Sequence, residues 1–388
     1  MMEVGLDPID CDPLQTSHCA LPWPSDHFLH TDREGIRRFK FSAMSLPRNF
    51  QNIPFNPLSQ NRLDGYGMLA TGIVYFENLD PSQLPDETHI IESMGDQPKV
   101  ALIDLSRDEG GALIGKRVPC WAEIDLRSES SGPRALFVRP ATLLKPNHQY
   151  AYVLSSLRNF DGELIPPSPA FGSLRDGLEA YPSGDQVVSA ARREHFEELF
   201  DVLERQGIER DTLTLAWRFH TASTDSLSGD LLKMRDEGLQ RLDEEGFNAD
   251  IREVIEYRHP DEPRLEGDER GQNRYIAAEL RGVMRLPLFM ESDGFFNGEY
   301  KLHRDSSGHP IATETVEVPF WLRIPYRALE GDPMGVVIYG HGQLYSGAEV
   351  RMADKGPVAE EGAYLFLGAD MWGMSERDIL FVPVVLNQ

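Results

Sequence analysis

Val336-Val337-Ile338-Tyr339 runs into Gly340-His341-Gly342-Gln343, and Ala363-Tyr364-Leu365-Phe366-Leu367 runs into Asp370-Met371-Trp372-Gly373-Met374-Ser375. Each is a short apolar run of strand type that stops in a glycine-bearing loop, and a helix-length segment separates the two. The order strand, helix, strand predicts a βαβ unit, and therefore two neighbouring parallel strands at this end of the chain. Gly340 and Gly342 suit the turn, because glycine takes positive φ without steric cost and lets backbone approach a ligand.

These motifs resemble the opening of an α/β-hydrolase domain of the esterase and lipase superfamily, over the C-terminal strand–helix–strand segment only. In that family a strand ends in a His-Gly turn and the next strand ends in an Asp-x-x-Gly-x-Ser type loop. The resemblance implies that the main-chain N–H just after the His-Gly pair, here Gln343 with Leu344 beside it, steadies an oxyanion during acyl transfer from a carboxylic ester. A donor fixed in the main chain needs no reorganisation as that charge develops. His341 then reads as structural, because the family's base comes last in chain order. Asp370 reads as a carboxylate that braces the loop by accepting backbone N–H bonds, with Gly373 and Ser375 completing the motif.

The family's nucleophile sits in Gly-x-Ser-x-Gly on a strand-to-helix elbow, and no such pattern occurs in this sequence. Ser346 and Ser375 lie on no elbow and are read as something other than the nucleophile. The expectation is a hydrolase sheet cut short before its attacking group, with no serine-hydrolase activity of its own and an unpaired apolar edge prone to self-association. The rival expectation is a non-catalytic surface or binding protein, with an Ig-like module and a degenerate hydrolase-like domain.

Thirty-eight Lys and Arg against sixty-three Asp and Glu leave a formal charge of −25 on 388 residues. That charge repels nucleic acid and anionic membrane surfaces. The hydrolase resemblance implies a small-molecule or lipid ester as partner, with no cofactor. The length predicts two or three domains with real cores. No run approaches the roughly 20 apolar residues that cross a bilayer, and Met1–Gly5 shows neither the basic nor the apolar part of a signal peptide. An extracytoplasmic setting is favoured by the lipase-like resemblance alone.

Cys11 and Cys19 bracket a short turn-rich segment. They could close a disulfide loop in an oxidising compartment or pack reduced as small apolar groups, as Cys120 is expected to do. No metal site is expected. His18 does not complete a tetrahedral set with the cysteines, and His303 and His309 flank Asp305 without ligand spacing.

The expected fold class is α/β plus all-β, an N-terminal Ig-like β-sandwich region followed by the first part of an α/β-hydrolase sheet. Residues 1–70, rich in Pro and Asn, read as an extended wrap docked on something larger. Residues 71–180 carry short strands at 100–105, 121–126, 135–138 and 149–154, and Leu144–Glu163 resembles the closing strands of Ig-like modules. Residues 181–245 read as a helix between Ser189 and Gln206, a strand at 212–221 and a helix capped by Ser226 or Ser228. His220 on that strand is expected to be a satisfied, partly buried histidine, and Asp64-Gly65 a turn. Residues 246–315 read as an acidic linker and β region, with 243–275 a solvated loop. Residues 316–388 begin the hydrolase domain. Taken with Gly340-His341-Gly342, the segments Leu21–Asp26 and Trp217–Ser223 are similar to bacterial lipase-like proteins with a β-rich N-terminal region.

Overall fold

The computed structural model describes residues 11–15, 17–31, 35–43, 45–49, 51–58, 60–107, 109–126, 134–179, 188–246, 248–291, 301–331, 335–371 and 373–381. Among them the chain is mixed α/β, with strand-rich sheets, four α-helices and no closed barrel. It divides into two compact units, residues 1–229 and 230–388. No helix among the described residues is long and apolar enough to cross a membrane.

Unit 1 opens with a hairpin of β1 (Leu29–Thr31) and β2 (Arg37–Phe39). Then follow β3 (Gly72–Phe76), β4 (Val100–Arg107), β5 (Leu113–Val118), β6 (Cys120–Ile124), β7 (Arg134–Pro140) and β8 (Gln149–Ser155). Helices α1 (Pro169–Arg175) and α2 (Ala190–Arg205) lead to β9 (Leu213–His220). The strands form two antiparallel sheets, β3-β7-β6 and β5-β4-β8-β9. One apolar cluster draws on both, from Val74 and Leu136 to Leu102, Tyr152 and Trp217.

Gly72 shows how closely the sheets meet. A Cβ there would lie 3.2 Å from the Tyr152 ring, whose hydroxyl donates to Ala70 O at 2.7 Å. Burying such a ring contributes about 1.5–3 kcal/mol, and stacking on Phe219 at 5.1 Å adds to it. The sheet reaches beyond residue 180 to recruit β9. The reason is β9's largely apolar run, with Leu213 through Phe219 all buried and the strand paired along β8.

The Pro-rich wrap docks on these sheets. Trp23 exchanges backbone bonds with Ile73, and the Trp217 indole donates to Pro24 O at 2.7 Å. Cys11 and Cys19 are joined by a disulfide, while Cys120 is free and buried, its thiol pushed up to about 12 by that burial. The 190–205 helix is capped by Ser189, whose side chain accepts Arg192 N–H, and Gly207 at φ +76° ends it. The next helix departs from expectation. Residues Asp225–Gly229 form a π-helical turn, and α3 (Asp230–Glu245) follows, so neither Ser226 nor Ser228 is its N-cap.

Unit 2 continues with β10 (Ala249–Arg258), β11 (Gly271–Gln272), β12 (Ile276–Leu288), β13 (Met290–Glu291), β14 (Lys301–Leu302), β15 (Glu314–Pro325) and β16 (Gly335–Tyr339). Helix α4 (Lys355–Gly362) and β17 (Tyr364–Ala369) complete it. One sheet runs β11-β10-β12-β15-β17-β16, with β13 and β14 a separate pair. Strand β10 corrects the reading of 243–275 as a solvated loop. Its charges are spent across strands, Glu253 on Arg281 at 2.8 Å and Arg252 on Glu317 at 2.8 Å, while Val254 and Ile255 supply β-branched residues.

Candidate functional site

The parallel pair predicted from sequence is present. Val337 lies opposite Phe366 and Tyr339 opposite Gly368, and the connection passes through the 3-10 turn Gly347–Arg351 and α4. The loops leaving the C-terminal ends of β16 and β17 therefore sit side by side, the place where open α/β sheets present ligand sites.

Both nitrogens of the buried His341 hold these loops together. Nε2 accepts Met371 N–H at 2.9 Å, which leaves the proton on Nδ1, and Nδ1 meets Gly342 O at 2.6 Å. His341 thus joins two loops and has no nitrogen left for proton transfer to a substrate. Asp370 accepts Gly347 N–H at 2.9 Å, bracing the loop. Ser375 is fully buried, and its N–H and hydroxyl both go to Asp378. Ser346 accepts Ala348 N–H as the cap of the 3-10 turn, so neither serine stands beside a base. Trp372 lies outside the described residues.

From Gly342 to Tyr345, three of four main-chain donors are engaged: Gly342 with Glu349 at 2.8 Å, Leu344 with Met374 O at 2.8 Å, Tyr345 with Gly342 O at 3.1 Å. Gln343 is exposed, and its N–H has no partner among the described residues. Two expectations change here. Leu344 N–H is committed to Met374 and is not a second open donor. The positive φ of the turn falls on Leu344, at +61°, and not on Gly340 or Gly342. Those glycines instead leave room for neighbours: a Cβ on Gly340 would lie 3.0 Å from Met371 Cε, and one on Gly342 3.2 Å from the Tyr345 ring.

The loop is anchored from below by a carboxylate that sequence reading missed. Glu279 on β12, 1 % exposed, accepts Arg281 Nε at 2.7 Å and pairs with Arg351 Nε at 3.2 Å. Arg323 donates to Val350 O at 3.1 Å. These ties hold the Gly347–Arg351 turn on the sheet. Strand periodicity alone would put Glu279 and Arg281 on one face, but nothing local says that the turn would meet them.

Unit 1 offers two polar groupings, neither a hydrolytic triad. Ser106 Oγ and Asp104 Oδ1 both meet His148 Nε2, at 3.0 and 2.9 Å, whereas a triad uses opposite ring nitrogens for base and orienting contacts. The second is buried beneath the wrap. Asp12 pairs with Arg192 at 2.7 Å, and Asp26 with His220 at 2.9 Å, which makes His220 the satisfied histidine expected. Burial raises the Asp26 pKa, but the His220 ring and hydrogen bonds from His220 and Gln149 outweigh it and bring the carboxyl down to about 2. Burial and the Arg218 guanidinium push His195 down to about 3, against the pull of Asp26.

Both shifts make unit 1 acid-sensitive. A histidine with a depressed folded pKa favours folding above its unfolded value of about 6.5 and progressively less down to 3. Asp26 contributes above about 4 and ceases to as pH falls through 2. Stability is expected to fall from pH 6.5 downward, His195 contributing at most about 1.4 kcal/mol per unit and Asp26 adding to the slope below about pH 4. Urea midpoints across pH 7 to 3 check this, and a flat profile in that window would refute it.

Among the described residues no group of three or more His, Cys, Asp or Glu is placed to hold a metal ion; His303 faces Glu291, and Asp305 accepts the N–H of His309. Comparison with protein-family models, with curated proteins and with solved structures finds no match to this chain.

Proposed function

We propose that unit 2 carries the oxyanion side of an esterase-type site, belonging to an α/β-hydrolase-like sheet that acts on a carboxylic ester by acyl transfer. The observation that carries this reading is Gln343: an exposed residue whose main-chain N–H has no partner among the described residues, while the N–H groups of Gly342, Leu344 and Tyr345 around it are engaged. A donor held this way is preorganised for charge that appears only in the tetrahedral intermediate. Gln343 acts alone here, and no serine of the two loops is paired with a histidine.

The test separates binding from turnover. In an amide-resolved NMR titration with a methylphosphonate monoester, an anionic mimic of the intermediate, the Gln343 cross-peak is expected to move while Leu344, already bonded, stays. No shift at Gln343 would sink the assignment. A fluorophosphonate probe is expected to label no serine; specific labelling, lost on serine-to-alanine substitution, would show an attacking group this reading denies.

One observation supports the rival reading of a non-catalytic binding module. The Ser106, His148 and Asp104 groups of unit 1 are saturated among themselves and Lys145, as in a structural network, and its two antiparallel sheets suit an Ig-like scaffold. An unmoved Gln343 amide together with absent labelling would favour that alternative.

A further inference from the structure

The two edges of the unit 2 sheet are built differently. At one end β10 carries Asp250, Arg252, Glu253, Glu256 and Arg258, a register irregularity between Ile251 and Glu253, and the two-residue β11 over part of its length. Charges, bulges and short caps are how natural sheets keep an edge from recruiting another strand. At the other end β16 reads Gly335-Val336-Val337-Ile338-Tyr339, with no charge, proline or bulge, and among the described residues it pairs only with β17. Val336 is 56 % and Ile338 80 % exposed.

Those two side chains end a longer feature. Val254 lies opposite Leu280, Leu280 opposite Leu322, Leu322 opposite Leu367, and Leu367 opposite Ile338. Residues opposed across neighbouring strands share a face, so this is one aliphatic row across five strands. The alternate residues Trp321, Phe366 and Val337 point to the other face, where Val350 and Ala359 bury them. Among the described residues the row stops at β16, the last strand of the sheet.

We infer that β16 pairs with β16 of a second copy, antiparallel about Val337, to make one sheet continuous through both. The strand is complementary to itself in that register. Val336 falls opposite the partner's Ile338 and Ile338 opposite the partner's Val336, on the face of the aliphatic row, so the row runs on unbroken. Tyr339 falls opposite the partner's Gly335, where a ring covers a residue without a side chain. No charge meets a like charge. A two-fold arrangement satisfies the same patch on both copies and closes, so it stops at a dimer.

Five residues span only about 16 Å of edge, which places the contact below the roughly 1,200 Å² of a standard interface and makes the dimer reversible. The net charge of −25 opposes it at long range, so added salt is expected to strengthen association.

Sedimentation velocity on the full chain from micromolar to several hundred micromolar is expected to show a monomer–dimer equilibrium. Ile338→Lys should raise its dissociation constant at least about tenfold without altering the circular dichroism, the site being exposed. Leu231→Glu, at an exposed leucine of α3, should leave it unchanged. Mixing Val336→Cys and Ile338→Cys proteins under mild oxidation should cross-link the two, which fixes the register. A strictly monomeric wild type would overturn the proposal. So would a dimer indifferent to Ile338→Lys, or one dissolved by Leu231→Glu instead.

Discussion

Arg192→Ala is expected to destabilise unit 1 by about 3–5 kcal/mol, the cost of leaving a buried carboxylate without its partner. Asp12 and Arg192 are each 2 % exposed at the side chain and meet at 2.7 Å. Asp12 also accepts Leu14 N–H and the Ser25 hydroxyl, so one carboxylate fixes the wrap to α2. Burial raises the Asp12 pKa, but Arg192 and His27 prevail and hold it below the usual range. With Arg192 gone, the group must take up a proton or draw in water. Thermal denaturation followed by near-ultraviolet circular dichroism measures the loss. The double variant Asp12→Leu with Arg192→Met should recover most of it, because an apolar pair of similar volume removes the buried charge altogether. A drop below about 1 kcal/mol in Arg192→Ala would show that the pair is reached by solvent and is an ordinary surface contact.

Gly368→Ala is expected to cost unit 2 about 3 kcal/mol, the upper end of overpacking effects. A Cβ on Gly368 would lie 2.2 Å from Gly347 O and 2.8 Å from Val350 Cγ1, and one on Gly347 would lie 2.6 Å from Ala369 N. Two backbones touch here, and no side chain can rotate aside. The Gly347–Arg351 turn must lift from β17, straining the Gly347 to Asp370 bond and, through Gly342 and Glu349, the Gln343 amide. Gly373→Ala is the control. Its φ of +83° makes a Cβ strained, yet nothing lies within 4 Å, so only about 1 kcal/mol is expected. Urea unfolding of the two variants compares them directly, and equal losses would mean that the close approach is not what requires glycine at position 368.

The βαβ unit was legible because its signals are local. Apolar runs of strand length, glycine-bearing loops and a helix-length spacer each lie within a few residues, and the parallel register of Val337 with Phe366 follows from them. The helix from Ser189 was legible for the same reason, its apolar residues recurring at helical spacing between a cap and a glycine stop. Strand β10 was hidden, since alternating acids and arginines look like a solvated segment until the opposing charges of β12 and β15 are known. The Gln343 donor was legible as a position. That Leu344 is occupied and bears the positive φ was not, because its partner Met374 belongs to a different loop.

Composition and local pattern therefore determined the kinds of element, the charge of −25, and the adjacency of the two glycine-bearing loops. Tertiary structure alone decided which donors remain open, that Glu279 anchors the loop through Arg281 and Arg351, and that among the described residues β16 is the last strand of its sheet. The reason is physical. Strand and helix signals are read over a few residues, whereas hydrogen-bond satisfaction and edge exposure depend on groups far apart in sequence that meet only when the sheet assembles.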